Sequence, residues 1–279
     1  MYKVAILSDI HGNVTALEAV LADAQQEQVT EYWILGDLFM IGPGSTDLIK
    51  RLRGLPNVTF VRGNWDDVFI DAKDADFDNP TNVYGSRLAM YHEQQLSVAD
   101  IDFIHQLPAV VTKELNGLKF LLCHHLPKQN YGGELWPSGK QENFDSLFID
   151  GDFNVAVYGH VHRQVMRYGG DGQLIINPGS VHVPTVFTEW EIQNFSLKAQ
   201  YAILEIDGPE IKSVNFKKVD YDVDQEVAFA KERGLPYVDF YEESLQFGRS
   251  VTHDQVTLER VNRERGYKDE VMAYFRNDD

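Results

Sequence analysis

The sequence predicts an α/β fold with a helical insertion and a helical C-terminal segment. Three observations predict it. Short, nearly continuous apolar runs alternate with stretches of helical spacing from the N-terminus to Val61. The first two runs end abruptly at Ser8-Asp9 and Gly36-Asp37, as buried strands of a parallel sheet do at their carboxyl ends. Strand signals then stop near residue 67 and return near residue 109.

Lys3 to Leu7 (KVAIL) reads as the first buried strand. In VTALEAVLADAQQEQ, Val14, Leu17, Val20 and Leu21 share one helical face. Asn13 or Thr15 can cap its start, and Thr15 with Glu18 has capping-box spacing. Tyr32 to Leu35 (YWIL) is the second strand, STDLIKRLRG a second helix, and Val58 to Val61 a third strand. This β-α-β-α-β order implies crossover connections. Residues 67–108 hold an acidic patch, DAKDADFDNPTN, then helical spacing around LAMYHEQQL and VADIDFIHQL. They read as an insertion able to cap a site. Strand runs resume at Ala109 to Thr112, Lys119 to Cys123, Val155 to Tyr158, Leu174 to Ile176 and Tyr201 to Ile206. From about residue 216 the chain is charged and helix-like. The expected division is a main domain over 1–215, containing the insertion, and a helical segment over 216–279 packed on it.

Composition narrows the function classes. The net charge of −18 repels polyanions and membrane faces, which excludes a basic groove for extended nucleic acid. No apolar run reaches about 18 residues, so no membrane-spanning helix is expected. The single cysteine, Cys123, excludes an internal disulfide and reads as buried. The N-terminus carries no signal-peptide pattern, and a cytoplasmic location is expected.

Several strand ends finish in metal-ligand chemistry. SDIHGN offers Asp9 and His11, LGDL offers Asp37, RGNW offers Asn64, CHH offers His124 and His125, and YGHVH offers His160 and His162. A lone Asp after a strand is usually a turn residue, and a lone His is usually a surface or core group. His92, His105, His182 and His253 are left in that class, His182 with the least ease. In GHVH, two His at i and i+2 of an extended segment point to opposite faces, so they serve two metals or one faces away. Taken together, the strand ends outweigh the ordinary readings. Mixed carboxylate and imidazole donors suit Mn, Fe, Zn or Ni, and not Ca. A shared carboxylate flanked by His implies two metals about 3.5–4 Å apart, holding a hydroxide for in-line attack on phosphorus.

SDIHGN, LGD, RGNWD, a strand-final His and YGHVH resemble the calcineurin-like metallophosphoesterase superfamily over about residues 1–206. Asn177 to Ser180 (NPGS) is similar to its small bacterial phosphodiesterase branch. GNW, CHHLP and the helical tail are similar to streptococcal-type asymmetric diadenosine-tetraphosphate hydrolases. The resemblance implies a four-layer α-β-β-α sandwich. It implies two divalent ions, manganese or iron before zinc or nickel. By resemblance Asp9, His11 and His162 would hold the first ion, Asp37 would bridge, and Asn64, His124 and His160 would complete the second. His124 is favoured over His125, which falls behind it. Asn13, Arg62, Asn177, Ser180 and His125 would surround the phosphate. The implied substrate is a small nucleotide or other phosphoester.

One position departs from the pattern. Many superfamily members carry His after the Gly-Asn pair, where it assists the leaving group; here the residue is Trp65. Indole donates a hydrogen bond but does not shuttle a proton near neutral pH. The expectation is a leaving group stable as an anion, with Trp65 offering a face for a nucleobase or simply packing on the insertion. Asp66 is expected to brace the loop. Cyclic-nucleotide or general phosphodiesterase activity, and a non-catalytic scaffold of the same fold, are the competing expectations.

Overall fold

The computed structural model describes residues 2–276, apart from 185, 187, 189, 190 and 192–194. The first sheet takes β1 (Tyr2–Leu7), β2 (Glu31–Ile34), β3 (Val58–Phe60), β9 (Ala199–Asp207) and β10 (Glu210–Val219), in the order β10-β9-β1-β2-β3. The second takes β4 (Val110–Leu115), β5 (Leu118–Cys123), β6 (Val155–Val157), β7 (Gln164–Tyr168) and β8 (Leu174–Pro178), in the order β4-β5-β6-β8-β7. At the heart of each sheet the strands are parallel: β1 with β2 and β3, and β5 with β6 and β8. The flanking strands are antiparallel.

Strand periodicity makes the layers. Val4 and Ile6 point toward the second sheet, where they pack with Trp33, Phe120, Val155 and Val157. Ala5 and Leu7 point the other way, onto a helical layer. The Trp33 and Phe120 rings meet edge to face between the sheets, 5.1 Å apart. Leu121, Cys123 and Tyr158 face outward from the second sheet onto Phe144 and Leu147, in and just after α6 (Gln141–Asp145). The result is the four-layer α-β-β-α sandwich.

The helical layer on the first sheet begins with α1 (Val14–Gln26) and α2 (Thr46–Arg53). Asn13 caps α1 by accepting from the Ala16 N–H. Next come α3 (Asn64–Ile70), α4 (Pro80–Glu93) and α5 (Val98–His105). The C-terminal helices α7 (Val223–Glu232), α8 (Val238–Phe247), α9 (Gln255–Arg265) and α10 (Tyr267–Arg276) share one core with α4, through Tyr84, Leu88, Tyr237, Leu258 and Val271. No helix among the described residues is long and apolar enough to cross a membrane.

Two strands escaped the sequence reading, β7 and β10. In β10, Lys212, Lys217 and Lys218 sit on an edge strand, where charge blocks pairing with another chain. That charge made the segment look like the start of the tail. The sheet continues to Val219, so helix begins at Val223 and not near residue 216.

His92 of α4 is buried, with its Nδ1 2.7 Å from the Ser45 hydroxyl and its ring against Phe39. Burial pushes it from 6.5 down to about 3. Between those values only the unfolded chain takes the proton, so stability is full above 6.5 and falls as pH drops toward 3. The melting temperature should therefore fall from about pH 7 to about pH 5, less steeply in His92→Gln than in the wild type. An equal slope in both would show that His92 does not contribute.

Candidate metal centre

The carboxyl ends of the parallel strands of both sheets converge on one cluster, and unusual backbone aims the side chains there. Asp9, His11, Asp37, His160 and His162 all have left-handed φ, from 49° to 65°. That conformation is uncommon for residues with a Cβ and costs on the order of 1–3 kcal/mol each. It also answers the GHVH question. The segment is a strained turn beyond β6, not a strand, and both imidazoles reach the cluster on different sides.

Asp9 Oδ1 lies 3.3 Å from His162 Nε2, 3.8 Å from His124 Nε2 and 4.0 Å from His11 Nε2. Asp37 Oδ2 lies 3.4 Å from His124 Nε2 and 3.6 Å from His11 Nε2. Asn64 Oδ1 lies 3.0 Å from His124 Nε2 and 2.8 Å from His160 Nδ1. Two donor groups result, Asp9-His11-His162 and Asp9-Asp37-His124. Asp9 belongs to both, while Asp37 stands between His11 and His124, so both carboxylates occupy central positions.

The far sides of two of the rings are fixed. His124 Nδ1 donates to the Leu35 carbonyl at 2.6 Å, and His162 Nδ1 donates to the Val183 carbonyl at 2.8 Å. Such anchors set the tautomer and leave Nε2 free to ligate. His125, by contrast, turns its Nε2 to Glu134 at 3.3 Å and stacks on His160. His124 is thus the member of the pair that faces the cluster. Cys123 is buried, and burial pushes its thiol up to about 12.

The RGNW turn is a helix start. Asn64 opens α3, and the buried Asp66 accepts N–H bonds from Gly63 (2.8 Å), Asp37 (3.0 Å) and Leu38 (3.2 Å). Asp66 therefore ties the ends of β2 and β3 together. Its pKa is pushed up to about 7, by burial and then by the neighbouring Asp37. Gly63 permits the approach, since a Cβ there would lie 2.1 Å from Asp37 Oδ1.

The electrostatics show a demand for positive charge. Burial works against ionisation of Asp9, but His162, His124 and His11 outweigh it and hold the carboxyl well below its ordinary range. Burial likewise opposes protonation of His124, yet the Asp37 and Asp9 carboxylates push it up to about 10. His162 is raised against burial by Asp9. His11 is driven well down, by burial and then by the charge of His162, and His160 falls to about 3, by burial and then by the charge of His124. A divalent ion fits this donor set: Asp9 Oδ1 is buried without a hydrogen-bond partner, and the Nε2 atoms of His11 and His162 face each other at 3.2 Å.

The residues expected around the phosphate take these positions. Asn13, Asn177, Ser180 and His125 are buried, and Asn13 Nδ2 and His125 Nδ1 have no hydrogen-bond partner. Asn13 caps α1. Asn177 donates to the Gly159 carbonyl at 2.6 Å and accepts from Gly179 N–H. The Ser180 hydroxyl donates to the Asp9 carbonyl at 2.9 Å. These side chains brace the strand-end turns, because buried polar groups need fixed partners. Arg62 Nε sits 2.9 Å from Asp67 Oδ1. Trp65 is half-buried, edge-on to His11 at 6.2 Å and to Tyr84 of α4 at 6.0 Å. It packs on the insertion and borders the cluster as well. His182, set aside in the sequence, abuts His11 edge-on at 5.7 Å.

Comparison with known proteins agrees with this architecture. A model described as the calcineurin-like phosphoesterase superfamily domain matches residues 2–208. An uncharacterized protein of Methanocaldococcus jannaschii is 26% identical over 232 residues, spanning 79% of this chain and 88% of its own length. The symmetrical bis(5'-nucleosyl)-tetraphosphatase of Serratia proteamaculans is 41% identical over 66 residues, 22% of each chain. The crystal structure of a metallophosphoesterase from Sphaerobacter thermophilus, 25% identical, matches with a TM-score of 0.65 over 88% of this chain and 100% of that one. With two metal-competent donor groups at the convergent strand ends, and a family match spanning both sheets, this chain belongs to the metal-dependent calcineurin-like phosphoesterase superfamily.

Proposed function

We propose that the protein is a two-metal phosphoesterase acting on a nucleotide-type phosphodiester or phosphoanhydride, with diadenosine tetraphosphate as the leading substrate. The observation that carries this reading is the paired donor set around Asp9 and Asp37, bordered by a half-buried Trp65. Asp9, His11 and His162 would hold one ion, and Asn64, His124 and His160 the other, with Asp37 between them. These donors suit manganese, iron, zinc or nickel, and the family resemblance favours the first two. Bound ions supply charge neutralisation at phosphoryl oxygens and an activated water.

The chain's own residues set the rest. Asp66 locks the loop that carries Asn64. The Trp65 backbone N–H donates to Asp37 Oδ1 at 2.8 Å and fixes that carboxylate's orientation. The indole supplies no proton to a leaving group, so the reaction favours a product stable as an anion, such as a nucleotide phosphate. The half-buried ring is of a kind that stacks on bases, worth about 1–3 kcal/mol in nucleic-acid sites. The Serratia relative, whose name specifies a dinucleoside tetraphosphate, supports the same substrate class.

The test is turnover with Mn²⁺ on diadenosine tetraphosphate, a cyclic nucleotide, bis-p-nitrophenyl phosphate and an alkyl monoester. Diadenosine tetraphosphate should be fastest, and AMP with ATP as products would mark asymmetric cleavage. Trp65→His should raise alkyl-ester turnover relative to the dinucleotide by about 10²-fold, the lower end of general-acid assistance. Faster wild-type turnover of the alkyl monoester would sink the substrate assignment. No metal uptake and no turnover would point to a scaffold.

A further inference from the structure

The family match ends at residue 208, yet the C-terminal helices reach the cluster. His182 is the meeting point. Its backbone N–H donates to the Asp9 carbonyl at 3.1 Å, and its ring lies edge-on to His11. From α8, the Tyr241 ring stacks on it at 5.4 Å with planes 12° apart, and the Ser244 hydroxyl sits 3.2 Å from its Nε2. The Tyr221 hydroxyl, just before α7, lies 3.4 Å from the His182 carbonyl oxygen.

Tyr241 is itself fixed. Its hydroxyl donates to Glu226 Oε1 of α7 at 2.9 Å. The other oxygen of the buried Glu226 accepts from Thr15 N–H at 2.8 Å and the Thr15 hydroxyl at 2.6 Å, at the start of α1. The same phenol closes over Gly42, where a Cβ would come within 2.7 Å of it, and Gly42 N–H donates to the His11 carbonyl at 2.8 Å. The tail thus grips the Asp9-to-Thr15 segment from both ends. That segment holds Asp9 and His11 in left-handed backbone, a conformation that persists only where surroundings over-determine it.

We propose that the C-terminal helices are a positioning element for the metal centre, with Tyr241 and Ser244 holding His182 against His11 and so fixing the Asp9-His11 pair. This rests on the two-metal reading above. Both contact His182 and act through it on a candidate ligand, His11. Loss of such outer partners typically weakens metal binding by about 10–100-fold.

The experiment is Mn²⁺ affinity and stoichiometry by competition with a fluorescent chelator, measured on the full chain beside its melting temperature. Tyr241→Leu removes the stack and should weaken binding by about 10–100-fold, whereas Tyr241→Phe keeps the ring and should restore most of it. Ser244→Ala removes only the hydroxyl and decides the matter if Tyr241→Leu does not fold. Leu258→Ala, in the buried face of α9, serves as a destabilised control and should bind Mn²⁺ like the wild type. Wild-type affinity in Tyr241→Leu and Ser244→Ala would overturn the positioning role, as would an equal loss in Leu258→Ala. Wild-type protein that takes up no Mn²⁺ would instead overturn the metal reading, and this inference with it.

Discussion

Asp37→Ala will abolish Mn²⁺-dependent hydrolysis. Its Oδ2 stands between His11 and His124, so its loss takes a donor from the middle of the cluster. Even an outer partner of a ligand costs about 10–100-fold, so losing this carboxylate should cost more than about 100-fold. The substitution also frees the Trp65 N–H that its Oδ1 accepts. Asp37→Asn separates the two effects, since an amide oxygen can keep that bond while the charge is gone. Both variants should be inactive in steady-state assays, with Asp37→Asn close to the wild type in melting temperature. Activity within tenfold of the wild type in either would remove Asp37 from the assigned ligands.

Gly63→Ala should be the most damaging small substitution in the chain. The added Cβ would meet Asp37 Oδ1 at 2.1 Å and Asp37 N at 2.4 Å, and neither atom is the loose end of a flexible side chain. Both are held, the first by Trp65 N–H and the second by Asp66. Relief requires the ends of β2 and β3 to part, which breaks the Asp66 bonds to Gly63, Asp37 and Leu38. A loss above about 4 kcal/mol, the range of the severest single substitutions, is expected from urea denaturation. A native midpoint for this variant would show that the close approach is dispensable.

The central strands were legible because burial on both faces writes them as unbroken apolar runs, as in VAIL and FLLC. The ligand candidates were legible for a related reason: polar groups with no packing role stand at the ends of those runs. Asp66 was also read correctly as a brace. What the sequence concealed is contact made across long separations. His182 looks ordinary until β8 delivers it beside His11 and a helix some 60 residues later covers it with Tyr241. Asn13, Asn177 and Ser180 look like phosphate ligands because small polar residues in turns bind anions and brace backbone with the same atoms. In the structure all three are buried, and each makes a hydrogen bond to backbone. At GHVH the i, i+2 rule left two outcomes open because it assumes extended backbone; both histidines are left-handed, and both reach the cluster.

The two sheets contribute unequal halves of the centre. Asp9, His11, Asp37 and Asn64 follow strands of the first, while His124, His160 and His162 follow strands of the second. Between the sheets there is otherwise mainly apolar packing, with Lys113 of β4 bonded across to Glu31 and Thr59. An ion held by residues of both sheets would be a rivet through that seam. Loading the ion and locking the register then become one equilibrium, and each tenfold rise in free ion above its dissociation constant adds about 1.4 kcal/mol to the closed sandwich.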